Sequence, residues 1–335
     1  MNSVILIVVV VAGILVILVQ LRSIGTKIFE SLSLLQADQK KFVEILLGYR
    51  KKTGDDAIIA VSEEKTIVNY FDPAKNESDK KIYYKDIDFG NSNTLFNQLN
   101  GLLTNTHIAR LPYNPSLHLY PLTDNYEDGQ LRSIYSGKAF TLSQLLEMDA
   151  KVDEEIAADM VRLTLSNPTL DELDQKAAEI KKRPYNCEHV VPQAWFNHLE
   201  PMKGDLHHLF TCEVKCNEFR SNYPYTDFAD YGTNYTNEIK DECGKLENKL
   251  FEPEINKGIV ARAVLYFLIR YPSAFLPGQG YTTKDIPLLI KWHSADPVTK
   301  YELHRNQIIY QKQGNRNPFI DFPELSSKIK YENQD

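Results

Sequence analysis

The chain opens with an uninterrupted apolar run, Val4 to Val19, and beyond it hydrophobic residues recur mostly at helical spacing between polar connections. A membrane-spanning helix needs about 17–25 residues, a length the run reaches together with Leu21. No basic side chain precedes the run and no small-x-small site follows it, so the pattern predicts an uncleaved anchor over residues 1–25. A cleaved signal and a buried core helix are the alternatives. Arg22, Lys27, Lys40 and Lys41 follow the run and by the positive-inside rule favour a cytoplasmic C-terminal side. From Thr26 to Lys52 the residues Ile28, Leu32, Leu35, Phe42, Ile45 and Leu46 mark a juxtamembrane helix, residues 26–52, suited to self-association. Residues 53–79, with the strand-like Ala57 to Val61 and the polar DPAKNES segment, read as a linker.

From Lys80 to Lys138 the pattern gives loops around one helix, Thr94 to Thr104. Thr141 to Leu165 is an amphipathic helix, and Thr169 to Lys182 is another, opened by a Thr169–Glu172 capping box and closed at Arg183-Pro184. Thr226 to Asn248 is polar and rich in turn residues. Lys257 to Tyr271 is apolar on most sides, which predicts a buried helix stopped by Pro272 and requires a partner for Arg262. Asp285 to His293 is a short helix broken at Asp296-Pro297. Thr299 and Glu302 make a capping box for a helix to Lys312.

Composition adds two constraints. A length of 335 residues suits one large domain or two ordinary ones. A net charge of −7 argues against a general nucleic-acid coat, which would be basic. It leaves room for a nuclease, because a bound cation supplies positive charge locally.

The chemistry concentrates between Tyr185 and Tyr225, YNCEHVVPQAWFNHLEPMKGDLHHLFTCEVKCNEFRSNYPY. Asn186 to Val191 is β-prone, Asp205 to Phe210 is short enough to be a return strand, and Glu213 to Ser221 reads as a helix. Neighbours on a strand point to opposite faces, so Glu188 and His189 would do different work. A Glu188 carboxylate and an Asn217 amide oxygen suit a hard cation such as Mg²⁺, with Mn²⁺ or Ca²⁺ as substitutes, and a neutral His189 beside it could deprotonate water. Against this stands the plainer reading, since Glu-His pairs are common in structural and zinc-binding settings. The cysteines leave three options open. Cys187, Cys212, Cys216 and Cys243 could form a structural Zn²⁺ site, one or two disulfides, or free thiols.

CEHVVPQAWF, DLHHLF and KCNEFRSNYP resemble the core of the endonuclease I family of His-Me finger (ββα-metal) nucleases. FEPEINKGIVARAVLYFLIRYP, KWHSADPVTKYELHRN, QGNRNPFID and, upstream, LRSIYSGKAF resemble further blocks in matching order, so the likeness spans roughly residues 80 to 325. The resemblance implies that His189 is the general base, that Glu188 and Asn217 hold one divalent ion, and that cleavage leaves 5′-phosphate and 3′-hydroxyl ends. It makes Arg220 and Arg262 candidate catalytic contacts to phosphate, with a core or ion-pair role as the alternative for each. It makes Asp205 and His207 orienters behind the metal, while His208 may be packing only. The chain departs from the family in the short Asn197 to Gly204 connection, where some members carry an additional arginine and this chain has only Lys203. It departs also in Cys187, and in an acidic balance that leaves the nucleic-acid groove unidentified.

The expectation is an α+β protein: a ββα-metal core embedded in a mostly helical domain, residues 80–328, behind one N-terminal transmembrane helix. Its activity would be metal-dependent, largely sequence-nonspecific cleavage of DNA, or of RNA, with no small-molecule cofactor. The alternative from another class is a membrane-anchored nucleic-acid-binding module with a structural Cys/His zinc site and no catalysis, and a third reading is a stalked scaffold. The placement expected is a single-pass membrane protein with its catalytic domain outside the cell, since a free nuclease beside the chromosome would be toxic.

Overall fold

The computed structural model describes residues 70–165, 186–231 and 243–331. The anchor expected over 1–25, the helix over 26–52 and the Thr169–Lys182 helix lie outside them. Among the described residues no helix is long and apolar enough to cross a membrane.

The chain divides into two compact units, one comprising residues 67–141 with 187–335 and the other residues 1–66 with 142–186. In the second, helix α4 (Leu142–Leu165) forms where the amphipathic pattern placed it. Asp149 on α4 accepts hydrogen bonds at Oδ1 from the backbone nitrogen (3.1 Å) and Nδ2 (2.9 Å) of Asn186.

The first unit holds everything else described. It begins with α1 (Pro73–Tyr83), which starts inside the stretch expected to be a linker. Asp72 caps it through a side-chain bond to the Lys75 nitrogen, and Pro73 occupies the first turn, where a missing N–H costs nothing. Buried Asn76 then accepts from Arg316 Nη2 at 2.6 Å, which ties the helix to the C-terminal region. Helix α2 (Leu95–Thr106) buries Leu95, Leu99 and Leu103 on one face. A one-turn α3 (Pro115–His118) and a small hairpin, β1 (Leu131–Arg132) with β2 (Ala139–Phe140), complete a segment expected to be mostly loop.

Next come β3 (Cys187–His189), β4 (Leu209–Thr211) and α5 (Val214–Arg220). A second hairpin, β5 (Gly244–Glu247) with β6 (Leu250–Pro253), occupies part of the polar region. The core is organised around α6 (Lys257–Arg270), buried from Gly258 through Arg270. A helix apolar on all sides is stable only if other elements surround it. Helix α6 packs against α2, α7 (Ile286–Ala295), α9 (Pro318–Asp321) and the turn at Leu206–His208. Helix α8 (Lys300–Gln313) opens with the expected Thr299–Glu302 capping box, both bonds of which are present.

Candidate active site

Strands β3 and β4 pair antiparallel, with Cys187 opposite Thr211, Glu188 opposite Phe210 and His189 opposite Leu209. The return strand begins later than the sequence pattern suggested. Asp205 accepts from the His207 backbone nitrogen and starts a tight helical turn over Leu206–His208. Only after that turn does the chain become extended. The segment before it closes against Leu111, where Gly204 leaves no room for a side chain: an added Cβ would lie 1.9 Å from the Leu111 carbonyl oxygen. Glu200 fixes both sides of this approach, accepting from the backbone nitrogens of Tyr113 (3.4 Å) and Gly204 (2.9 Å).

The alternation along β3 sends Glu188 and His189 into different surroundings. Glu188 is 2% exposed, and its Oε1 accepts from Arg220 Nη1 at 2.8 Å and from the Tyr135 hydroxyl at 2.7 Å. Neither donor uses Oε2. Burial raises the Glu188 pKa above the ordinary carboxylate range, with Arg220 and Tyr135 opposing it. His189 lies against the rings of Tyr113 (4.9 Å) and His208 (5.5 Å), and its Nε2 is 2.9 Å from the Lys203 carbonyl oxygen. A carbonyl can only accept, so Nε2 carries the proton and Nδ1 is the basic nitrogen. Burial, and after it the neighbouring His208, pushes the His189 pKa well below the usual imidazole value, so the ring is neutral at neutral pH. The Lys203 ammonium stands 5.3 Å from the centroid of the Tyr113 ring.

Helix α5 brings in Asn217, whose Nδ2 donates to the Cys187 carbonyl at 2.9 Å, next to Glu188 in the chain. This bond orients the amide and leaves Oδ1 as its acceptor. Four hydrogen bonds to the frame therefore leave three acceptors that no side chain of the described residues reaches: Glu188 Oε2, Asn217 Oδ1 and His189 Nδ1. Two hard oxygens fit a cation of the Mg²⁺ type, and a neutral imidazole nitrogen fits a base.

Of the other expected site residues, Arg220 reaches Glu188 and His189, and Arg262, Asp205 and His207 bond to other groups. Arg220 is 1% exposed and turns inward, giving Nη1 to Glu188 and the His189 carbonyl (3.1 Å) and Nη2 to the Val190 carbonyl (2.7 Å). Arg262 is equally buried and pairs with Glu302 through Nε (2.5 Å) and Nη2 (2.9 Å), while Nη1 reaches the Asp296 and His293 carbonyls. Both guanidinium groups are therefore engaged by carboxylates and backbone carbonyls inside the protein, which is the ion-pair alternative expected for each. Asp205 is fully buried and accepts from Tyr266 (2.7 Å), Tyr271 (2.9 Å) and Gln313 (3.0 Å). Burial opposes its ionisation, but His107, His207, His208 and the Gln313 bond hold it below the usual carboxylate range. His207 Nε2 faces the Asn315 carbonyl at 3.3 Å. Neither Asp205 nor His207 bonds to Glu188, His189 or Asn217; they secure the turn leading into β4 instead.

Cys216 and Cys243 form a disulfide, and Cys187 and Cys212 are buried thiols. The disulfide uses two sulfurs that a four-cysteine zinc site would need. Glu213, Cys216 and Cys243 place ligand atoms within 4.8 Å of one another, the one such group among the described residues.

Sequence reasoning missed Tyr135, Tyr225, Tyr113 and Glu200 as parts of the site. Tyr135 falls within LRSIYSGKAF, and Glu200 and Tyr225 fall within the Tyr185–Tyr225 stretch, so position marked three of the four, but nothing local marked the partner of any.

Comparison with known proteins identifies the family of the chain. A family profile described as Endonuclease I matches residues 92–324. An extracellular ribonuclease of Bacillus subtilis (strain 168) is 34% identical over 164 residues, 43% of this chain and 54% of the relative. An extracellular deoxyribonuclease of Aeromonas hydrophila is 30% identical over 157 residues, 40% of this chain and 64% of the relative. A periplasmic deoxyribonuclease of the same organism is 29% identical over 157 residues, 40% of this chain and 62% of the relative. The chain thus spans between half and two thirds of these relatives.

Proposed function

The chain belongs to the Endonuclease I family, and we propose that it is a divalent-metal-dependent endonuclease hydrolysing phosphodiester bonds of DNA or RNA with little sequence preference. The observation that carries this reading is the set of unshared acceptors on Glu188, Asn217 and His189, each left over because its neighbouring atom is bonded to the frame. Glu188 Oε2 and Asn217 Oδ1 would hold the cation. When bound, it would supply positive charge to the scissile phosphate and to the leaving oxygen.

The protein groups do the rest. His189 Nδ1 takes a proton from water, the resulting hydroxide bonds to phosphorus in line with the 3′ oxygen, the bond from phosphorus to that oxygen breaks, and the departing 3′ oxygen takes a proton from solvent water, leaving 5′-phosphate and 3′-hydroxyl ends. The Lys203 carbonyl holds the ring through Nε2–H in both protonation states and favours the imidazolium that forms. Arg220 and Tyr135 hold the Glu188 carboxylate, and the Cys187 carbonyl holds the Asn217 amide.

Relatives described as a ribonuclease and as deoxyribonucleases make both nucleic acids reasonable substrates, and their extracellular and periplasmic descriptions support a site of action outside the cytoplasm. The test incubates the full chain with supercoiled plasmid and, separately, with single-stranded RNA, with Mg²⁺ and with excess chelator. Internal cleavage of at least one substrate, lost with chelator, is the expected result. Intact substrates in every condition would overturn the proposal.

A further inference from the structure

We infer that Tyr135 is a positioning residue for the cation site, and that Tyr225 acts through it to present a single oxygen of Glu188. The inference rests on the metal-dependent reading above and adds two residues to it.

Tyr135 is fully buried, and its hydroxyl lies 2.7 Å from Glu188 Oε1 and 2.6 Å from the Tyr225 hydroxyl. The direction of the chain follows from counting protons. Oε1 accepts from both Tyr135 and Arg220, so it carries no proton, and the one Tyr135 hydroxyl proton goes to it. The bond between the tyrosines must then use the Tyr225 proton, which is shared with the Val190 carbonyl at 3.3 Å. Successive bonds of this kind polarise one another. The outer member is itself held, because Tyr225 is buried with the Arg220 guanidinium 4.7 Å from its ring centroid.

Tyr225, Tyr135 and Arg220 therefore close a loop of contacts on one side of Glu188. Two donors on one oxygen stop the carboxylate from rotating to exchange its oxygens. The remaining oxygen stays aimed away from the donors, where a cation would find it already oriented. Partners behind a ligand typically change metal affinity by about 10–100-fold when removed. Tyr135 also packs its ring edge-on against Phe251 at 5.0 Å, so a purely structural role is the competing account. Tyr135→Phe keeps that packing and removes only the hydroxyl.

The test measures Mn²⁺ binding to the full chain from the paramagnetic resonance signal of the free ion, for wild type, Glu188→Gln, Tyr135→Phe and Tyr225→Phe. Thermal midpoints without cation are recorded in parallel. Tyr135→Phe should weaken Mn²⁺ binding by about 10–100-fold, and Tyr225→Phe by less. In cleavage assays the loss should appear as a higher Mg²⁺ concentration for half-maximal rate, with most of the rate recovered as Mg²⁺ is raised.

Wild-type Mn²⁺ affinity in Tyr135→Phe would overturn the inference, including where its thermal midpoint falls, since only the structural role would then remain. Should Tyr135→Phe not fold, Tyr225→Phe decides: weakened binding supports the inference and wild-type binding overturns it. Wild-type protein without Glu188-dependent Mn²⁺ binding would instead sink the metal-dependent reading itself.

Discussion

Arg262–Glu302 and Arg220–Glu188 are the same pair of side-chain types at the same depth, with 1% and 2% exposure in each case. Their hydrogen bonding differs. Glu302 engages Arg262 with both oxygens, and its Oε2 also accepts from the Thr299 backbone nitrogen (3.0 Å) and hydroxyl (3.3 Å). Nothing is left over. Glu188 takes both of its side-chain donors on Oε1, and no side chain among the described residues reaches Oε2. The first pair is therefore a closed joint between α6 and the start of α8. The second is an open one, built on the strand beside the candidate base, and its second oxygen is the one that would meet the proposed cation. Burial depth does not distinguish the two pairs; the share of each carboxylate taken up by side-chain donors does.

The largest expected effect lies on the open side. His189→Ala should lower turnover by about 10²–10⁴-fold, the usual contribution of a general base. Single-turnover cleavage at saturating cation measures it, and wild-type rates would remove His189 from the chemistry.

The closed pair should respond in the opposite currency. Glu302→Ala leaves Arg262 buried without its carboxylate, a change that typically costs about 3–5 kcal/mol. Urea unfolding reads that loss, while Mn²⁺ affinity of the folded fraction should stay as in wild type. A weakened Mn²⁺ site with unchanged stability would reverse the assignments of the two pairs.

How much of this was legible beforehand depends on the range of the interaction. Glu188, His189 and Asn217 fall within one stretch, where residue type made them candidates and the family resemblance assigned their roles; the α6 and α8 helices and the Thr299–Glu302 box were readable from local pattern. The Asp72-Pro73 start of α1 was also a local signal, outweighed by the polar composition around it. The partners were not legible. Arg262 was known to need one, but Glu302 lies 40 residues away. Tyr135 reaches Glu188 across 53 residues and Tyr225 across 90. The family resemblance made Asp205 an orienter behind the metal. Its donors come instead from α6, from Tyr271 just beyond it and from the end of α8, and they make it a core anchor. Such choices are made by packing, which the order of residues does not display.

The smallest expected effect concerns acid. His107, His189, His207, His208, His293 and His304 are all lowered from the ordinary imidazole value, burial being the first cause in each, and His207 falls to about 4. Unfolded histidines titrate near pH 6.5, so below that point the unfolded chain binds more protons than the folded one. The stability these rings contribute is complete above about pH 6.5 and is lost as pH falls from there toward about 4. Glu188, Glu200, Glu252 and Glu302, whose carboxyls are raised by burial, work the other way and moderate the loss. Urea midpoints at pH 7.5 and pH 5 should therefore differ, the acid value being lower. Equal midpoints would mean that the imidazoles titrate normally.

The central claim is that Glu188 Oε2 and Asn217 Oδ1 hold a cation beside His189 Nδ1. Crystals soaked in Mn²⁺ and measured for anomalous scattering test it most directly. The account predicts a peak within coordination distance of both oxygens, on the side of the strand pair where His189 Nδ1 lies. A map with no peak there, or with one only at Glu213, Cys216 and Cys243, would contradict it.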